Sequence, residues 1–171
     1  FVNTKDQKAE IIEQMMDRII HRGPNSSGKF IDDQVALGFR RLSIIDLEGG
    51  TQPIYNEDGT KVIIFNGEIY NFQSLREELI QAGHVFTTHA DTEVLLHGYE
   101  EWGTDLLQRV RGMFAFAIWD REKQELFGAR DHFGIKPYYY AEMNGTFMFG
   151  SEIKSFLPHP DFEKELNKDA L

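Results

Sequence analysis

The sequence contains no cysteine, and this absence excludes more chemistry than any other feature of its composition. Without thiols the chain can form no disulfide, bind no metal through thiolates and use none of its own residues as a cysteine nucleophile. It also lacks an apolar stretch long enough to span a membrane and a basic-then-apolar leader at its start. We therefore expect a cytoplasmic protein with no membrane partner.

Positive charge is scarce as well. The 171 residues include 18 Lys and Arg against 28 Asp and Glu, which gives a formal net charge of -10. Nucleic acids and anionic lipids repel such a surface, so the expected partner is a small molecule or a protein, and no nucleic acid. Hydrophobic residues at 41% and charged residues at 27% are typical of a folded protein, and the length suits one domain.

The spacing of apolar residues predicts an α+β fold with mainly antiparallel sheets. Apolar residues at helical spacing, followed by glycine stops, predict helices at 11–20, at about 72–81 and from just after Asp91 to Gly103. Short apolar runs bounded by turn residues predict strands at 35–39, 42–45, 62–65, 113–119, 126–129, 138–140 and 147–149. Because most strands follow one another as hairpins, parallel crossovers are disfavoured. Residues 1–157 are predicted to be the folded domain and the polar residues 158–171 the start of a linker.

Asn66-Gly67-Glu68 follows the apolar run that ends at Phe65. An Asn-Gly pair after a strand is most often a hairpin turn, but here the next residues lead into a predicted helix instead of a second strand. A strand end that does not turn back leaves a side-chain amide and a glycine N–H pointing outward together. Such donors can stabilise an oxyanion, and one of them is worth about 3–4 kcal/mol of barrier. Both interpretations of Asn66 and Gly67 stay open at this point.

Charged residues near strand and helix ends could bind an amino acid. Arg40 and Arg41 are adjacent, so one of them could face into the fold and bind a carboxylate through two hydrogen bonds from its guanidinium group. Alternatively, both could lie on an exposed edge. Asp91 stands at a predicted helix start, where the simpler role is that of an N-cap. With Glu68 it could instead receive an ammonium group. An α-amino acid needs a cation for its carboxylate and an anion for its amine, and the chain offers both.

The six histidines show no metal-ligand spacing such as H-x-x-x-H, so the sequence predicts no metal site. Arg130-Asp131-His132 holds the residues of a kinase catalytic loop in another order. No glycine-rich phosphate loop accompanies it, which excludes a kinase. No cofactor is therefore expected within this chain.

Eight short motifs, taken together and in order, resemble the class II glutamine amidotransferase domain of glutamine-hydrolysing asparagine synthetases. They are His21-Arg22-Gly23-Pro24, Arg41-Leu42-Ser43-Ile44, FNGEIYN at 65–71, Asp91-Thr92-Glu93, RGMFAF at 111–116, Ala129-Arg130-Asp131, Gly134-Ile135-Lys136-Pro137 and Ser151-Glu152-Ile153-Lys154. Each motif is weak alone, but eight in the family's order leave chance a negligible explanation. The resemblance implies the N-terminal nucleophile hydrolase fold, a four-layer α/β/β/α sandwich with two mainly antiparallel sheets.

The resemblance also implies a mechanism. In this family an N-terminal Cys thiolate attacks the side-chain amide of glutamine, ammonia leaves and water hydrolyses the thioester, with the free α-amine of the Cys as general base. By matching motif, the Asn66 side chain and the Gly67 N–H form the oxyanion hole. The implied substrate-binding positions are Arg41 for the carboxylate, Glu68 and Asp91 for the ammonium, and the Ile44 backbone as part of the pocket lining.

The sequence departs from the family at its front. The family opens with Cys-Gly-(Phe or Ile)-(Val or Ala)-Gly, whereas this chain opens with Phe1-Val2-Asn3-Thr4 and aligns just after that segment. The nucleophile is thus expected to be missing, and the chain is expected to be a truncated domain that does not hydrolyse glutamine by itself. The synthetase half, where the family binds ATP and Mg, is expected beyond Leu171 as a covalently attached partner.

Two other functions stay open. The chain could be the glutaminase domain of another class II amidotransferase. The sequence of residues 130–137 disfavours this alternative because it is more similar to the asparagine synthetases. It could also be a non-catalytic scaffold derived from such a domain, which the lack of cysteine favours. The full set of glutamine-binding residues argues against a scaffold, because a scaffold has no use for the pocket.

Overall fold

The computed structural model describes residues 1–3, 6–42 and 51–165. In this part of the chain the helices are α1 (Lys8–Asp17), α2 (Phe72–Ala82), α3 (Asp91–Trp102) and α4 (Leu106–Arg109), with short 3-10 turns at Ile20–Arg22, Gly103–Asp105 and Ile153–Phe156. The strands are β1 (Ser26–Ile31), β2 (Ala36–Arg41), β3 (Ile54–Tyr55), β4 (Lys61–Ile69), β5 (Gly112–Asp120), β6 (Glu125–Arg130), β7 (Tyr139–Met143) and β8 (Thr146–Gly150).

Two β layers form the centre of the molecule. Strands β3, β4, β5 and β6 make a four-stranded sheet in that order, and β1–β2 and β7–β8 each make a two-stranded sheet. The first residues of the chain join the two smaller sheets into one layer. Val2 bridges to Val35 beside β2 and exchanges two backbone hydrogen bonds with Phe147 of β8, at 2.8 and 3.2 Å. Every pairing between these eight strands is antiparallel, which confirms the predicted sheet type.

Three apolar clusters hold the layers together. The cluster between the two β layers takes buried residues from both, namely Leu37, Val62, Ala117, Trp119 and Phe149. A second cluster packs α2, α3 and α4 against the outer face of β4 and β5. A third packs α1 against Ala36 and Met148 on the outer face of the other layer. The order helix, sheet, sheet, helix is the predicted four-layer α+β sandwich.

Helix α1 shows why the outer helices form. Its buried apolar residues repeat at helical spacing and face the sheet as one stripe: Ile11, Ile12, Met15 and Met16. A helix of 10 residues is marginal alone, whereas each fully buried side chain of this kind contributes about 1.5–3 kcal/mol. The helix ends at Asp17, short of the predicted end at Ile20. Ile20 is 49% exposed, so extending the helix to it would bury little apolar surface.

The other helices and the last hairpin follow the prediction closely. Helices α2 and α3 begin and end within one residue of the expected positions, and Gly83 ends α2 with a left-handed φ of 104°. Asn144 and Gly145 have φ values of 52° and 76°, as the predicted two-residue turn between β7 and β8 requires. Leu42 belongs to no strand, and the rest of the strand predicted at 42–45 lies outside the described residues.

Residues after the 3-10 turn at Ile153–Phe156 pack against the domain. His159 is 2% exposed and Asp161 is 8% exposed. The Asp161 carboxylate accepts a hydrogen bond from the hydroxyl of Thr146 in β8. The division into a domain at 1–157 and a linker from 158 stays a prediction.

Candidate active site

Strand β4 places two polar side chains between the sheets. Side chains alternate along a strand, and here Ile63 and Ile69 pack under the helices whereas Val62 belongs to the cluster between the sheets. Asn66 and Glu68 share the face of Val62 by this alternation. Both side chains are therefore directed toward the opposite β layer.

Strand β2 directs its two arginines to opposite sides. Leu37 faces the four-stranded sheet and Ala36 faces α1, so alternation puts Arg41 on the inter-sheet side and Arg40 on the α1 side. Arg40 donates from Nε to the Met16 carbonyl at 3.3 Å and forms an ion pair with the last residue of α1. The sequence left the orientation of the two arginines open. In the structure Arg41 faces the opposite sheet.

A cavity of about 780 Å³ is lined by residues of both β layers. Its lining includes five of the predicted site residues, namely Arg41 from β2, Asn66, Gly67 and Glu68 from β4, and Asp91 from the start of α3. The sixth, Ile44, lies outside the described residues. The volume falls within the range of small-molecule sites. The fold thus brings together residues that are far apart in the sequence.

Strand β4 runs straight through the Asn-Gly pair. Gly67 is paired with Phe114 of β5, and the strand ends only at Ile69. The interpretation of Asn66-Gly67 as a hairpin turn is therefore wrong, and so is the expectation that the strand ends at Phe65. Pairing with β5 overrides the local preference of Asn-Gly for a turn.

Gly67 is required by the close approach of β5. A Cβ at this position would lie 2.2 Å from the Met113 carbonyl oxygen and 2.7 Å from the Phe114 Cα, so a side chain would displace the neighbouring strand. The N–H and C=O of Phe114 bond to Asp131 and not to β4, which makes Gly67 and Phe114 a non-hydrogen-bonded pair. The Gly67 N–H therefore points away from β5, toward the opposite edge of β4.

Two side chains complete that edge of β4 where the short strand β3 no longer covers it. The Gln52 amide donates to the Phe65 carbonyl at 3.0 Å and accepts from the Phe65 N–H at 2.6 Å. Four residues further along β4, the Ile69 N–H donates to Asp91 Oδ2 at 2.8 Å. The Gly67 N–H lies on the same edge between these two anchors. The Gly67 N–H is thus next to the side-chain amide of Asn66 along the strand.

Asp91 and Glu68 form an acidic pair at the cavity. Burial raises the pKa of Asp91 most and the charge of Glu68 raises it further, while hydrogen bonds from the Ile69 and Thr92 backbones oppose the rise. A bound cation such as an ammonium group would relieve this repulsion. Ala90 holds the N-cap position and Asp91 is the first residue of α3, so the N-cap role considered for Asp91 is wrong by one residue.

A turn before β1 supports the end of β2 that carries Arg41. A Cβ on Gly23 would lie 2.4 Å from the Arg41 backbone nitrogen, so only glycine allows this contact. The two residues before this glycine are tied to the region after β8. His21 Nε2 lies 2.9 Å from Glu152 Oε1, and Arg22 donates to the same oxygen at 3.2 Å.

Two supporting residues, Gln52 and Asp131, could not be recognised from the sequence as parts of the site. The Asp131 carboxylate accepts backbone N–H bonds at 2.9 to 3.2 Å from Phe114, Phe133, Ile135 and Lys136. Burial of the carboxylate acts to raise the pKa of Asp131, but these hydrogen bonds lower it more and hold the pKa below its usual range. Gln52 is uncharged and its partners are backbone atoms, so neither charge nor spacing identifies it. The available signal for Asp131 was its place in the Ala129-Arg130-Asp131 motif, and Gln52 carried none.

A helix, sheet, sheet, helix sandwich with a polar cavity lined by both sheets is the architecture of the N-terminal nucleophile hydrolases. The family model described as "Glutamine amidotransferase domain" matches residues 1–171. The chain therefore belongs to the glutamine amidotransferase domain family.

The most similar relatives include glutamine-hydrolysing asparagine synthetases. The chain is 52% identical over 168 residues to asparagine synthetase 1 of Bacillus subtilis strain 168, which covers 98% of this chain and 26% of that protein. It is 44% identical over 139 residues to asparagine synthetase B of Escherichia coli strain K12, covering 81% of this chain and 25% of that protein. The chain thus spans about a quarter of the length of these relatives.

Two solved structures share the fold at low sequence identity. The glutamine phosphoribosylpyrophosphate amidotransferase of B. subtilis, complexed with ADP and GMP, has a TM-score of 0.69 and 21% identity over 86% of this chain and 40% of its own. The structure of the allosteric regulatory enzyme of purine biosynthesis has a TM-score of 0.71 and 22% identity, over 87% of this chain and 40% of its own. At this identity they establish the fold alone.

Among the described helices, none has the length and apolar character that crossing a bilayer requires.

Proposed function

We propose that this chain is the glutamine-hydrolysing domain of an asparagine synthetase, which converts glutamine into glutamate and ammonia and supplies the ammonia for asparagine synthesis. The observation that carries the proposal is the cavity lined by Arg41, Glu68 and Asp91 together. The asparagine synthetases that match this chain over most of its length support the choice of asparagine as the product.

The charges of the cavity suit the main-chain groups of free glutamine. Arg41 offers a planar fork that can donate two parallel hydrogen bonds to the α-carboxylate. Glu68 and Asp91 offer acceptors for the α-ammonium, which would also relieve the repulsion between the two acids. Hydrogen bonds to charged groups are worth about 1.5–3 kcal/mol each, so these contacts can hold a small substrate.

The donors on β4 suit the developing oxyanion. The Asn66 side chain lies on the inter-sheet face, and the Gly67 N–H points to the strand edge beside it. Gln52 fixes the backbone before this pair and Asp91 fixes it afterwards, so the donors are held in place before substrate binds. Preorganised donors of this kind stabilise charge that appears only in the transition state.

A thiolate nucleophile cannot come from these 171 residues, because they include no cysteine. Phe1 exchanges two backbone hydrogen bonds with Ala36 of β2, at 2.7 and 2.8 Å, and lines the cavity. Residues joined ahead of Phe1 would continue antiparallel to β2 along the cavity wall. In this register the fifth such residue would lie opposite Arg41, and a Cys at the head of the family's five-residue opening segment would stand at that position.

The thiolate of that Cys would attack the side-chain amide carbon and form a tetrahedral oxyanion facing Asn66 and Gly67. Collapse of this intermediate passes to the leaving nitrogen the proton that the Cys α-amine took from the thiol, which releases ammonia and leaves a thioester. Water then adds to the thioester and releases glutamate and the thiolate. The proposal includes a cytoplasmic location, and a covalently attached synthetase domain that binds ATP and Mg.

The proposal is tested by extending the chain ahead of Phe1 with Cys-Gly-Phe-Val-Gly, with the Cys α-amine free. We expect this protein to release ammonia from glutamine and to be inactivated by a thiol-reactive glutamine analogue. Two matched controls, a Ser in place of the added Cys and one extra residue ahead of it, should fold but release no ammonia. Ammonia release by the unextended chain, or none by the extended one, would contradict the mechanism. If the extended protein also failed to bind glutamine, a non-catalytic scaffold would be the better description.

A further inference from the structure

A second group of ligand-type side chains lies on the side of the molecule away from the cavity, and none of its members lines that cavity. It consists of Glu57 in the turn before β4, His84 just after α2, and His97 and Glu100 on α3. One ligand atom each from Glu57, His84 and His97 lie within 4.8 Å of one another. Three separate elements therefore meet at one point through side chains that bind metals.

The distances within this group, which we call the His97 cluster (Glu57, His84, His97 and Glu100), are close to those around a metal ion. His97 Nδ1 lies 3.0 Å from Glu100 Oε2 and 3.7 Å from Glu57 Oε2, and His84 Nδ1 lies 3.9 Å from the same Glu100 oxygen. Ligands of a tetrahedral zinc ion with bonds of about 2.0–2.1 Å are roughly 3.3 Å apart. The ligand atoms of Glu57, His84 and His97, which lie within 4.8 Å of one another, would move closer together by side-chain rotation to close around one ion.

Both carboxylates of the cluster are oriented by neutral donors. Glu57 Oε1 accepts the Val85 N–H at 3.0 Å, and Glu100 Oε1 accepts the Asn56 amide at 2.6 Å. In each case the second oxygen, Oε2, is left facing the imidazoles. Hydrogen bonds that fix the far atom of a ligand are the usual outer shell of metal sites.

His97 supplies an independent observation. Its side chain is 1% exposed, and within the described part of the chain its Nε2 is the buried side-chain polar atom that has no hydrogen-bond partner. Nε2 lies 3.6 Å from Glu93 Oε1, and the carboxylate of Glu93 is already satisfied by donors of Thr87 and Thr88. A metal on Nδ1 would place the proton on Nε2, facing Glu93. At 3.6 Å this contact is longer than a hydrogen bond, so a small shift of the imidazole toward Glu93 would be needed to complete the carboxylate, histidine, metal arrangement of many metal sites.

We propose that Glu57, His84, His97 and Glu100 bind one divalent transition-metal ion of the zinc class. Two imidazoles and two carboxylates are the nitrogen and oxygen ligands that zinc accepts, and the positive ion offsets the acidic charge gathered here. Glu57 is 38% exposed, which leaves a route for the ion. The ion would join α2, α3 and the turn before β4, and so would act on stability rather than on glutamine chemistry.

The sequence predicted no metal site because its histidines lack helical i, i+4 spacing. His97 and Glu100 are instead an i, i+3 pair on α3, and their partners arrive from two other elements through the fold. Spacing rules recognise ligands on one element. They do not recognise a site assembled from three.

The test is metal binding by the 171-residue chain after removal of bound metal with a chelator. We expect isothermal calorimetry to show one zinc ion per chain, zinc to raise the midpoint of thermal unfolding, and cobalt(II) to give the intense visible bands of a tetrahedral site. Glu57→Gln, which keeps the bond to Val85, and His84→Asn should each weaken zinc binding by at least about 10-fold, as loss of even an outer-shell partner does.

Matched controls on the exposed surface, His132→Asn and Glu125→Gln, should bind zinc like the parent. Circular dichroism without metal should show that all four variants are folded. Equal zinc affinity in all variants, or an octahedral cobalt spectrum without thermal stabilisation, would overturn the proposal and leave the cluster as a hydrogen-bonded ionic group. The readout does not depend on glutamine, so its failure is distinct from failure of the proposed function.

Discussion

The Asp91 carboxylate accepts a hydrogen bond from the Ile69 backbone N–H at 2.8 Å, which ties the first residue of α3 to the last residue of β4. The bond fixes the end of the strand segment that carries the proposed oxyanion donors. It also holds a half-buried carboxylate beside Glu68, where partial burial and the second charge raise the pKa of Asp91. Asp91 therefore combines a structural and a binding role, and the two can be separated.

Replacing Asp91 with Asn should separate these roles. The Asn side-chain oxygen can still accept from Ile69, while the cost of the buried charge and the repulsion from Glu68 disappear. In the absence of glutamine the variant should melt at the same temperature as the parent or higher, as thermal unfolding will show. In a Cys-bearing protein, its KM for glutamine should rise about 10-fold, since one charged partner of the ammonium is lost.

The pH dependence gives Asp91 a second test. Because its pKa is raised, the parent should lose glutamine affinity as pH falls through a value above that of an ordinary Asp. Asp91→Asn should lack this step, and the exposed control Asp105→Asn should retain it. A parent KM that stays constant down to the ordinary range of an Asp would contradict the assignment.

Replacing Arg41 with Ala should mainly weaken substrate binding. In the intact enzyme we expect the KM for glutamine to rise about 10- to 100-fold, because the carboxylate loses charge-assisted hydrogen bonds, while ammonia-dependent synthesis survives. Arg40→Ala is the matched control, since Arg40 bonds to α1 on the other face of β2. Steady-state kinetics with glutamine and with ammonia distinguish the two variants. An unchanged KM for glutamine in Arg41→Ala would contradict the assignment of Arg41 to the carboxylate.

Replacing Asn66 should mainly slow the chemical step. In a Cys-bearing protein Asn66→Ala should lower kcat about 10²–10³-fold, with a smaller change in glutamine binding. Asn66→Asp keeps the shape but removes the donor and adds a negative charge beside the oxyanion, so it should be at least as slow. If either variant stayed within a few-fold of the parent, Asn66 would be only a strand residue facing the cavity.

Glu152 should make part of the stability depend on acid. Desolvation acts to raise the pKa of Glu152, but hydrogen bonds from His21, Lys154 and Arg22 lower it to about 2. A carboxylate with a lowered pKa in the folded state stabilises the protein above its unfolded pKa of about 4.3, and this contribution is lost as pH falls toward 2. Glu152→Gln should therefore melt below the parent at pH 7 and approach it near pH 2.

Thermal unfolding between pH 2 and pH 7 checks this expectation for Glu152. The exposed control Glu125→Gln should follow the parent at every pH. A difference between Glu152→Gln and the parent that stays constant down to pH 2 would show that the carboxylate charge is not what stabilises this contact.

The helices and hairpins could be predicted because their signals are local. The apolar stripe of α1, the glycine after α2 and the Asn144-Gly145 turn each act within a few residues. Asn66-Gly67 carries the same local turn signal as Asn144-Gly145, but there the turn, one of two interpretations that the sequence left open, does not form. The difference is tertiary, since Gly67 lies against the β5 backbone, which no local rule records.

The candidate site was predictable in its charged residues and not in its supports. Arg41 and Asp91 belong to motifs and carry charges that imply a ligand. Gln52 and Asp131 act by bonding to backbone atoms of distant strands, so their roles depend on the folded register. The assigned catalytic and binding roles of the motif residues stay predictions until the variants above are measured.

The position of Val2 between β2 and β8 also constrains when the domain can be completed. Its partner Phe147 lies near the other end of the described chain, so a ribosome that has made Val2 must make almost the whole domain before that pair can form. Closing so long a loop is slow compared with forming the local hairpins. Phe1 can pair with Ala36 as soon as β2 has been made, whereas the Val2–Phe147 contact that joins the two smaller sheets into one layer is among the last to form.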